Sequence, residues 1–388
     1  MNRFTIPRDV YYGDNACEYL EKVDAKRAFL IYGSERMEKD GTIAMIKGHL
    51  EKAGAVCETF SGVEHDPSVA TVKEGVEKMN AFNPDLIIGI GGGSPIDAAK
   101  AMWVFYEHPE LSFEDIAKPF NLPELRNKAK FIAIATTSGT ATEVTCMSII
   151  TDETTGIKYP VVDFNITPDV AILDTTLVEK LPKHIVANTG MDALTHAIEA
   201  YTSTVATPIT DAVAMKAIEM VFKYLVDSYN GDMTARKEMH IAQNLAGMAF
   251  SNAVLGIVHS MAHKSGKIFE IPHGRINAIY LPHATRFNAK TAPEKYVDIA
   301  RRLNLKGETD AELIDALCDA INGLKKNMEM PMTLKEAGVK EDFFNEHLHS
   351  LAETSVADPC TGTNPREISV EEMEKVYKAA FFGEKVNF

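Results

Sequence analysis

Carboxylate and imidazole side chains recur in the second half of the chain at spacings that suit metal binding. Two pairs are four residues apart, and residues at positions i and i+4 lie on the same face of a helix. Helix faces that carry such ligands bind divalent cations in helical bundles. The sequence therefore predicts a divalent metal site, whereas a lone histidine on an apolar helix is more often a hydrogen-bonded core residue. The candidate ligands are Asp192, His196, His259, His263, His273 and His283.

The residue after His259 argues against a metallopeptidase. A peptidase of the HExxH type needs a glutamate directly after its first histidine, and this chain has Ser260 there. Spacing alone leaves open which of His259 and His263 is a ligand and which stands beside the site. The predicted metal chemistry is therefore not peptide hydrolysis.

A glycine-rich turn in the first half suits phosphate binding. The sequence DLIIGIGGGSPIDAAKAMW runs from an apolar strand through three glycines into a predicted helix. We expect Ser94 to be the N-cap of that helix and Asp97 to complete a capping box. Glycines at a helix N-terminus let backbone N–H groups approach an anion, and the helix dipole favours negative charge there. Gly92, Gly93 and Ser94 are predicted to contact a pyrophosphate; the alternative is an ordinary tight turn with a good cap.

A second polar turn, ATTSGTATEVT, follows the next predicted strand. Open α/β folds bind their ligands at the carboxyl ends of the strands. Clusters of Ser, Thr and Gly also form ordinary loops, but two such turns on neighbouring strands favour a dinucleotide. The predicted cofactor contacts in this turn are Thr136, Thr137, Ser138 and Thr140.

These turns need a sheet to position them, and the first half of the chain predicts one. Apolar runs of strand length alternate with amphipathic stretches, a pattern typical of a parallel sheet with helices on both faces. The second run alternates apolar and polar residues and is expected at the sheet edge, whereas the third and fourth are almost wholly apolar, as in strands buried on both faces. The runs are AFLIY (28–32), AVCETF (55–60), DLIIGI (85–90), KFIAIAT (130–136) and VAILD (170–174), with a helix predicted over 69–79.

After about residue 180 the chain changes character. Long amphipathic stretches replace the strands, at 189–201, 209–229, 234–263 and 308–327. We predict two domains: a dinucleotide-binding α/β domain at residues 1–184 and a helical, metal-binding domain at residues 185–388.

Composition and charge exclude several classes of protein. A chain that is 45% apolar and 24% charged is typical of a globular protein. Its net charge of −15 argues against nucleic acid and anionic lipid as partners. No window reaches the roughly 18 apolar residues of a membrane span, and the N-terminus has no apolar run of signal-peptide length. Five scattered cysteines without a CxxC pair suit a reducing compartment, so we expect a cytoplasmic protein with no membrane or nucleic-acid partner.

Taken in order along the chain, the motifs resemble those of the iron-dependent (group III) alcohol dehydrogenases. They are GGGSPIDAAK, TTSGTATEVT, GMDALTHAIEAY, GxxHSMAHxxG with PHG, and DPCTGTNPRE. The resemblance spans nearly the whole chain and is strongest to the NADPH-dependent butanol dehydrogenase branch. It implies an N-terminal α/β domain and an all-α C-terminal domain with the metal in the cleft between them, in a homodimer or a higher homo-oligomer.

The resemblance also implies roles for individual residues. The metal ligands are Asp192, His196, His259 and His273, and the metal is Fe²⁺, with Zn²⁺ as the alternative because nitrogen and oxygen sites generally bind Zn²⁺ more tightly. His263 stands beside the site and is the candidate for proton exchange with solvent, unless it only packs there. Further cofactor contacts are Asp66 and Lys158. Positions lining the substrate pocket are Met147, Phe250 and Cys360, for which a buried core position is an equally good interpretation.

The end of the first predicted strand indicates the cofactor preference. Family members that prefer NAD have an aspartate directly after this strand, where its carboxylate would repel a 2′-phosphate. This chain has Gly33 there. We expect Gly33 to leave space for the phosphate and Ser34 to donate a hydrogen bond to it, so that NADP(H) is preferred over NAD(H). Arg36 adds charge if it turns inward, and Glu35 opposes the preference unless it faces solvent.

The predicted activity is a metal-dependent transfer of a hydride between NADP(H) and a short-chain, butanol-like primary alcohol or its aldehyde. The alternatives are a sugar-phosphate cyclase that uses NAD and zinc, resembling dehydroquinate synthase, and a polyol dehydrogenase of the glycerol type on a similar fold. A non-enzymatic metal or nucleotide sensor would require a broken ligand position, and none is broken here. The GMDALTHAIEAY and PHG motifs argue against the cyclase.

Overall fold

The chain divides into two compact units, Met1–Lys180 and Leu181–Phe388. We describe them from a computed structural model, which covers residues 3–154 and 158–388, with the backbone alone at Lys158. The domain boundary predicted between residues 184 and 185 lies inside the first helix of the second unit and stays a prediction.

The first unit is built on a parallel sheet. Its strands are β1 (Asp9–Gly13), β2 (Arg27–Tyr32), β3 (Val56–Phe60), β4 (Leu86–Gly91), β5 (Lys130–Ala135), β6 (Met147–Thr151), β7 (Lys158–Val162) and β8 (Val170–Asp174). Six of them form one sheet in the order β1-β8-β5-β4-β2-β3, and every neighbouring pair is parallel. β6 and β7 form a separate antiparallel pair.

The five predicted strands are all present, as β2, β3, β4, β5 and β8. β3 lies at the edge of the sheet and its burial alternates, as predicted. β1 and the β6–β7 pair were not predicted. They contain no long apolar run, since β1 exposes Tyr11 and Tyr12 and β7 contains Lys158 and Pro160.

The strand order defines where a ligand can bind. β3, β2, β4, β5 and β8 follow one another in the 2-1-3-4-5 order of a doubly wound sheet, which reverses its direction of growth between β2 and β4. Ligands of such sheets bind beyond the carboxyl ends of the strands at that reversal. The residues found there are Gly33, after β2, and Gly92, after β4.

Helices cover both faces of the sheet. They are α1 (Arg36–Lys39), α2 (Thr42–Lys52), α3 (Val69–Phe82), α4 (Gly93–Glu107) and α5 (Phe113–Ile116), with short 3₁₀ helices at Ala16–Lys22, Thr142–Val144, Phe164–Ile166 and Thr175–Val178. Alternate side chains of β2 enter two separate cores. Phe29 belongs to the core that contains Trp103 of α4, and Leu30 to the core that contains Ile46 of α2. Burial on both faces explains why the central strands are apolar throughout.

The second unit is helical, as predicted. Its helices are α6 (Lys183–Thr202), α7 (Pro208–Asn230), α8 (Met233–Ala253), α9 (Ile257–Ser265), α10 (His273–Asn288), α11 (Pro293–Arg302), α12 (Asp310–Asn327), α13 (Glu341–Val356) and α14 (Val370–Phe382), with a 3₁₀ helix at Pro359–Thr363. α6, α7 and α8 pack on one another, and α10 packs on α6. An α/β unit followed by an all-α unit is the predicted fold class.

The amphipathic stretch at residues 234–263 forms two helices rather than one. α8 ends at Ala253, Val254 adopts a left-handed φ of 61°, and α9 begins at Ile257. The two helices are bent by 99° relative to each other. In the described part of the chain no single helix is long and apolar enough to cross a membrane, and α8 with α9 would do so by length and composition only as a bent pair.

Candidate metal centre and cofactor loops

Three of the predicted ligands converge within the second unit. Asp192 and His196 lie one turn apart on α6, and His259 lies on the first turn of α9. One ligand atom from each lies within 4.8 Å of the other two. All three side chains are buried, and His259 is only 1% exposed. The i, i+4 spacing places the first two on one face, and the bend before α9 allows the third to meet them.

His273, the fourth predicted ligand, lies at the edge of this group as the first residue of α10. Its Nε2 lies 3.6 Å from Oδ1 of Asp192, and its side chain is 41% exposed. Gly274 permits this approach, because a Cβ there would lie 2.0 Å from the backbone oxygen of Asn188 on α6. The glycine of the Pro-His-Gly sequence is therefore required by the close packing of α10 on α6.

The lone pairs of these ligands point to a common place. Asn277, one turn after His273, has its side-chain nitrogen 2.8 Å from Oδ1 of Asp192 and 3.2 Å from Nε2 of both His259 and His273. Burial and the neighbouring histidines lower the pKa of His259 well below its usual value, which keeps this imidazole neutral. A carboxylate and neutral imidazoles with converging lone pairs suit Fe²⁺ or Zn²⁺. The residues present therefore fit the predicted metal.

A carboxylate that sequence reasoning missed lies on the other side of His259. Glu199 on α6 is buried, and its Oε2 lies 2.5 Å from Nδ1 of His259. Burial raises the pKa of Glu199, whereas the backbone N–H donors at the start of α9 lower it. Its position was a usable signal, since it follows His196 by three residues within the same motif.

His263 stands beside the ligand group. Its ring stacks on that of His273 with centroids 5.7 Å apart, and its Nδ1 lies 3.3 Å from Oδ2 of Asp358. The side chain is 39% exposed, so it reaches solvent, as proton exchange would require. His263, Asp358 and Cys360 form a second cluster of donor atoms within 4.8 Å of one another, but the Lys264 ammonium already pairs with Asp358 at 2.8 Å.

The three predicted pocket residues have different surroundings. Phe250 on α8 is buried and stacks on His196 with ring centroids 4.3 Å apart. Cys360 is half-buried beside His263, and burial raises the pKa of its thiol well above the usual value. Met147 begins β6 in the first unit, where its backbone oxygen accepts a hydrogen bond from Lys100. Phe250 and Cys360 thus border the ligand group, and the pocket role of all three stays a prediction.

The glycine-rich turn forms the N-terminus of α4. The helix begins at Gly93 with Gly92 as its N-cap, so the predicted capping box of Ser94 and Asp97 is wrong. The carboxylate of Asp97 instead accepts a hydrogen bond of 2.7 Å from the hydroxyl of Thr142. Because the N-cap is a glycine without a capping side chain, the first N–H groups of α4 are suited to bind an anion.

The second polar turn packs directly on the first. The predicted contacts of this turn are Thr136, Thr137, Ser138 and Thr140, all of which follow β5. The backbone N–H of Thr136 donates to the backbone oxygen of Gly91 at 2.8 Å. A Cβ at Gly92 would lie 3.1 Å from Oγ1 of Thr137. Backbone N–H groups and hydroxyls are therefore brought together in a cradle that fits the phosphates of a dinucleotide.

A buried lysine that was not predicted anchors the chain after this turn. Lys100 on α4 is fully buried, and its Nζ donates to the backbone oxygens of Thr142 (2.7 Å), Thr145 (2.7 Å) and Met147 (2.9 Å). Burial lowers the pKa of Lys100 to about 8. The ammonium is therefore still protonated at neutral pH and holds the loop between β5 and β6 against α4.

The residues after β2 correct one part of the cofactor prediction. The space expected beside Gly33 is filled, because a Cβ there would lie 2.7 Å from the backbone oxygen of Val63. Ser34 is exposed, and its hydroxyl accepts a hydrogen bond from the backbone N–H of Arg36 at 3.1 Å. Glu35 faces solvent, where its Oε2 lies 3.0 Å from Nζ of Lys39. A cofactor contact of Gly33 would therefore use its backbone.

Three other residues were considered as cofactor contacts: Arg36, Asp66 and Lys158. Arg36 is exposed and donates to the backbone oxygen of Lys180 at 3.4 Å, so it does not turn inward. Asp66, in the turn before α3, adopts a left-handed φ of 56°. Lys158 begins β7, but its side chain lies outside the described residues. The condition for a role of Arg36 is therefore not met, and the cofactor roles of Asp66 and Lys158 stay predictions.

Both units match models of one protein family. Residues 7–175 match the iron-containing alcohol dehydrogenase model, and residues 186–381 match the C-terminal model of the Fe-containing alcohol dehydrogenase family. The chain is also 54% identical over 388 residues to an NADPH-dependent butanol dehydrogenase of Clostridium saccharobutylicum, covering 100% of both chains.

Solved structures of similar proteins have the same fold. An iron-containing alcohol dehydrogenase from Thermococcus thioreducens is 36% identical with a TM-score of 0.91, covering 99% of this chain and 100% of that one. A 1,3-propanediol oxidoreductase is 34% identical with a TM-score of 0.93, covering 98% and 100%.

The fold and these matches define an oxidoreductase of the alcohol dehydrogenase class. The chain belongs to the iron-containing alcohol dehydrogenase family. The comparisons do not favour the sugar-phosphate cyclase alternative.

Proposed function

We propose that the protein interconverts short-chain, butanol-like primary alcohols and their aldehydes with NADP(H) as the hydride carrier. The observation that carries the proposal is the convergence of Asp192, His196 and His259 within 4.8 Å in the second unit of a family member. The 54% identical relative is an NADPH-dependent butanol dehydrogenase, which supports both the chain length of the alcohol and the cofactor.

The ligand group would hold the metal. Asp192, His196 and His259 supply buried donors, and His273 supplies a fourth at the exposed edge. We propose Fe²⁺ as the bound ion, with Zn²⁺ as the alternative. A divalent cation held there supplies Lewis acidity toward the carbonyl group of the aldehyde.

The first unit would bind the cofactor, whose nicotinamide supplies the hydride. The N-terminus of α4 with Gly92, Gly93 and Ser94 would bind the phosphates, and the hydroxyls of the second polar turn would close over them. The Lys100 ammonium holds the end of that turn and the start of β6 through hydrogen bonds to the backbone oxygens of Thr142, Thr145 and Met147.

Apolar residues would select a short alkyl chain. Phe250 stacks on a ligand of the proposed metal, and the half-buried Cys360 lies beside His263. We propose that Met147, Phe250 and Cys360 line the pocket. Apolar side chains of this kind exclude water and favour an alkyl chain over a polar group.

Replacing His263 with alanine is expected to lower kcat by about 10²-fold while the metal content stays unchanged. A positioned general acid or base contributes roughly 10²- to 10⁴-fold, and His263 lies beside the ligand group with access to solvent. Metal content by elemental analysis and kcat are measured on the same sample. Metal loss as large as that of His259→Ala would instead make His263 a ligand.

The wild-type protein is expected to have a higher kcat/KM with NADPH than with NADH, and Ser34→Asp to lower this ratio by about 10-fold or more. Two like charges about 5 Å apart near a protein surface repel by roughly 1–3 kcal/mol, so a carboxylate after β2 would oppose a 2′-phosphate. Ser34 is the position to change because it is exposed, whereas any side chain at Gly33 would meet the backbone oxygen of Val63.

The matched control for this variant is Ser34→Asn, which has nearly the same shape without the charge. It is expected to keep most of the preference for NADPH. A wild-type ratio below one would contradict the proposed preference. An Asp variant with the wild-type ratio would show that the phosphate does not lie at Ser34.

The proposed reaction is tested by following NADPH consumption with straight-chain aldehydes from acetaldehyde to hexanal. We expect consumption in proportion to the alcohol formed, with the highest kcat/KM near butanal. A cyclase regenerates its nicotinamide within each turnover, so it would show no net consumption. That result with every aldehyde would refute the proposal.

A cytoplasmic location and a homodimer or higher homo-oligomer are also proposals. The oligomer is supported by the resemblance to the family, and light scattering of the purified protein measures its mass. The location is supported by five cysteines that are scattered along the sequence without a CxxC pair, since such thiols suit a reducing compartment. Cell fractionation tests it.

A further inference from the structure

Glu199 joins the two helices that carry the buried metal ligands. It lies on α6 one turn after His196, and its Oε2 lies 2.5 Å from Nδ1 of His259 on α9. Its other oxygen, Oε1, accepts a hydrogen bond of 2.7 Å from the backbone N–H of Val258. One carboxylate therefore binds both α9 and the ligand that α9 carries.

The start of α9 is built around this carboxylate. Gly256 is the N-cap and contributes no capping side chain, while a Cβ at Gly256 would lie 2.9 Å from Oε1 of Glu199. The N–H groups in the first turn of a helix have no partners within that helix. Glu199 and Asn364, whose Oδ1 accepts from the backbone N–H of Ile257 at 3.2 Å, together take the place of a capping side chain. Both oxygens lie 2.9 Å from the position of a Cβ on Gly256, which explains the glycine at the break after α8.

We propose that Glu199 is a positioning residue that presents the Nε2 lone pair of His259 to the metal. This inference rests on the proposed metal site. A carboxylate at Nδ1 keeps the proton on that nitrogen and leaves Nε2 as the ligand atom. Nε2 is the nitrogen of His259 that faces Asp192, at 3.9 Å from its Oδ1, so the lone pair points into the ligand group.

The spacing on α6 supports the same role. Asp192, His196 and Glu199 occupy positions i, i+4 and i+7, which share one face of a helix. That face supplies two ligands directly and orients the third through a hydrogen bond. If Glu199 only capped α9, it would not need to share a helix face with the ligands. A serine or aspartate at the N-cap position of α9 would cap the helix as well.

The experiment measures the affinity of the metal-free protein for Co²⁺ and for Zn²⁺ by competition with a chromophoric chelator. Glu199→Gln keeps the size and one acceptor oxygen for Val258, but it replaces the oxygen that faces Nδ1 of His259 with an N–H donor. We expect the Kd for both ions to rise by about 10- to 100-fold, the usual effect of losing such an outer partner. Glu199→Asp keeps the charge on a shorter side chain and is expected to fall between.

Ser260→Ala is the matched control in the same turn of α9. It removes a buried hydroxyl that donates to the backbone oxygen of Gly256 at 3.2 Å and accepts from Thr361 at 2.8 Å. The change weakens the start of the helix and leaves the partner of His259 in place. We expect a lower Tm of the metal-free protein and an unchanged Kd for both ions.

Three results would be decisive. If the wild type and Glu199→Gln bind the ions equally tightly, or if Ser260→Ala weakens binding as much, Glu199 only caps α9 and the inference is overturned. A wild type that binds neither ion would contradict the proposed metal site itself. If Glu199→Gln does not fold, the comparison of Glu199→Asp with Ser260→Ala decides in the same way.

Discussion

His259→Ala is expected to lose its bound metal and to lower turnover by at least about 10³-fold, while NADPH still binds. The imidazole is buried and faces Asp192 and His196, so its removal takes one protein ligand from the group, and several kcal/mol of transition-state stabilisation depend on the cation. The predicted nucleotide contacts lie in the other unit of the chain. Elemental analysis, steady-state kinetics and NADPH titration measure the three quantities.

His273→Ala is expected to have the same effects, with a weaker loss of metal because the side chain is partly exposed. His283→Ala is the control, since His283 is a buried histidine on the same helix as His273 and lies outside the ligand group. It is expected to keep its metal. Full metal occupancy in His259→Ala would show that the ligands have been assigned wrongly.

Lys100→Met is expected to destabilise the first unit by about 3–5 kcal/mol and to raise the KM for NADPH. The methionine would leave the backbone oxygens of Thr142, Thr145 and Met147 buried without their donor. Trp103, the only tryptophan of the chain, lies on the same helix. Urea unfolding followed by tryptophan fluorescence therefore reports on this unit.

Lys325→Met is the matched control and is expected to be neutral or stabilising. Lys325 on α12 is also fully buried, but among the described residues its Nζ has no hydrogen-bond partner. Replacing an unpaired buried charge with an apolar side chain removes a desolvation penalty. Unfolding of this variant is followed by circular dichroism. Equal losses of stability in the two variants would contradict the account of Lys100.

The pH dependence gives a second readout for Lys325. Burial lowers its pKa from 10.5 to about 8, so between these values the unfolded chain binds more protons than the folded one. The wild type should therefore gain stability as the pH rises through this window. In Lys325→Met that contribution disappears, and the advantage of the variant should be largest below about pH 8.

The sheet could be predicted from the sequence because its central strands are buried on both faces. β4 and β5 are almost wholly apolar for that reason, and the glycine and threonine turns that follow them are visible as breaks in the pattern. β1 lacked such a pattern, since it exposes Tyr11 and Tyr12.

The metal ligands could be predicted only in part from spacing. Two i, i+4 pairs indicated a site, but spacing left open which of His259 and His263 is a ligand, and only the family resemblance implied that His263 stands beside the site. His273 reaches the group because Gly274 lets α10 approach α6, and that contact joins residues far apart in the sequence.

The sequence did not show the partners of residues that act through distant backbone groups. The partners of Lys100 are carbonyl oxygens more than 40 positions away, and Glu199 binds a helix that begins nearly 60 positions later. Gly33 was interpreted as leaving space for a phosphate, whereas the backbone oxygen of Val63 lies too close for any side chain at this position. In each case the sequence shows the residue type, and only the fold shows its neighbour.

The most direct test of the account is butanal reduction by protein stripped of metal, measured as NADPH consumption before and after anaerobic addition of Fe²⁺. We expect the stripped protein to bind NADPH without turnover, Fe²⁺ to restore turnover in the wild type, and the same addition to fail in His259→Ala. Undiminished NADPH consumption by the stripped wild type would contradict a metal-dependent alcohol dehydrogenase built on Asp192, His196 and His259.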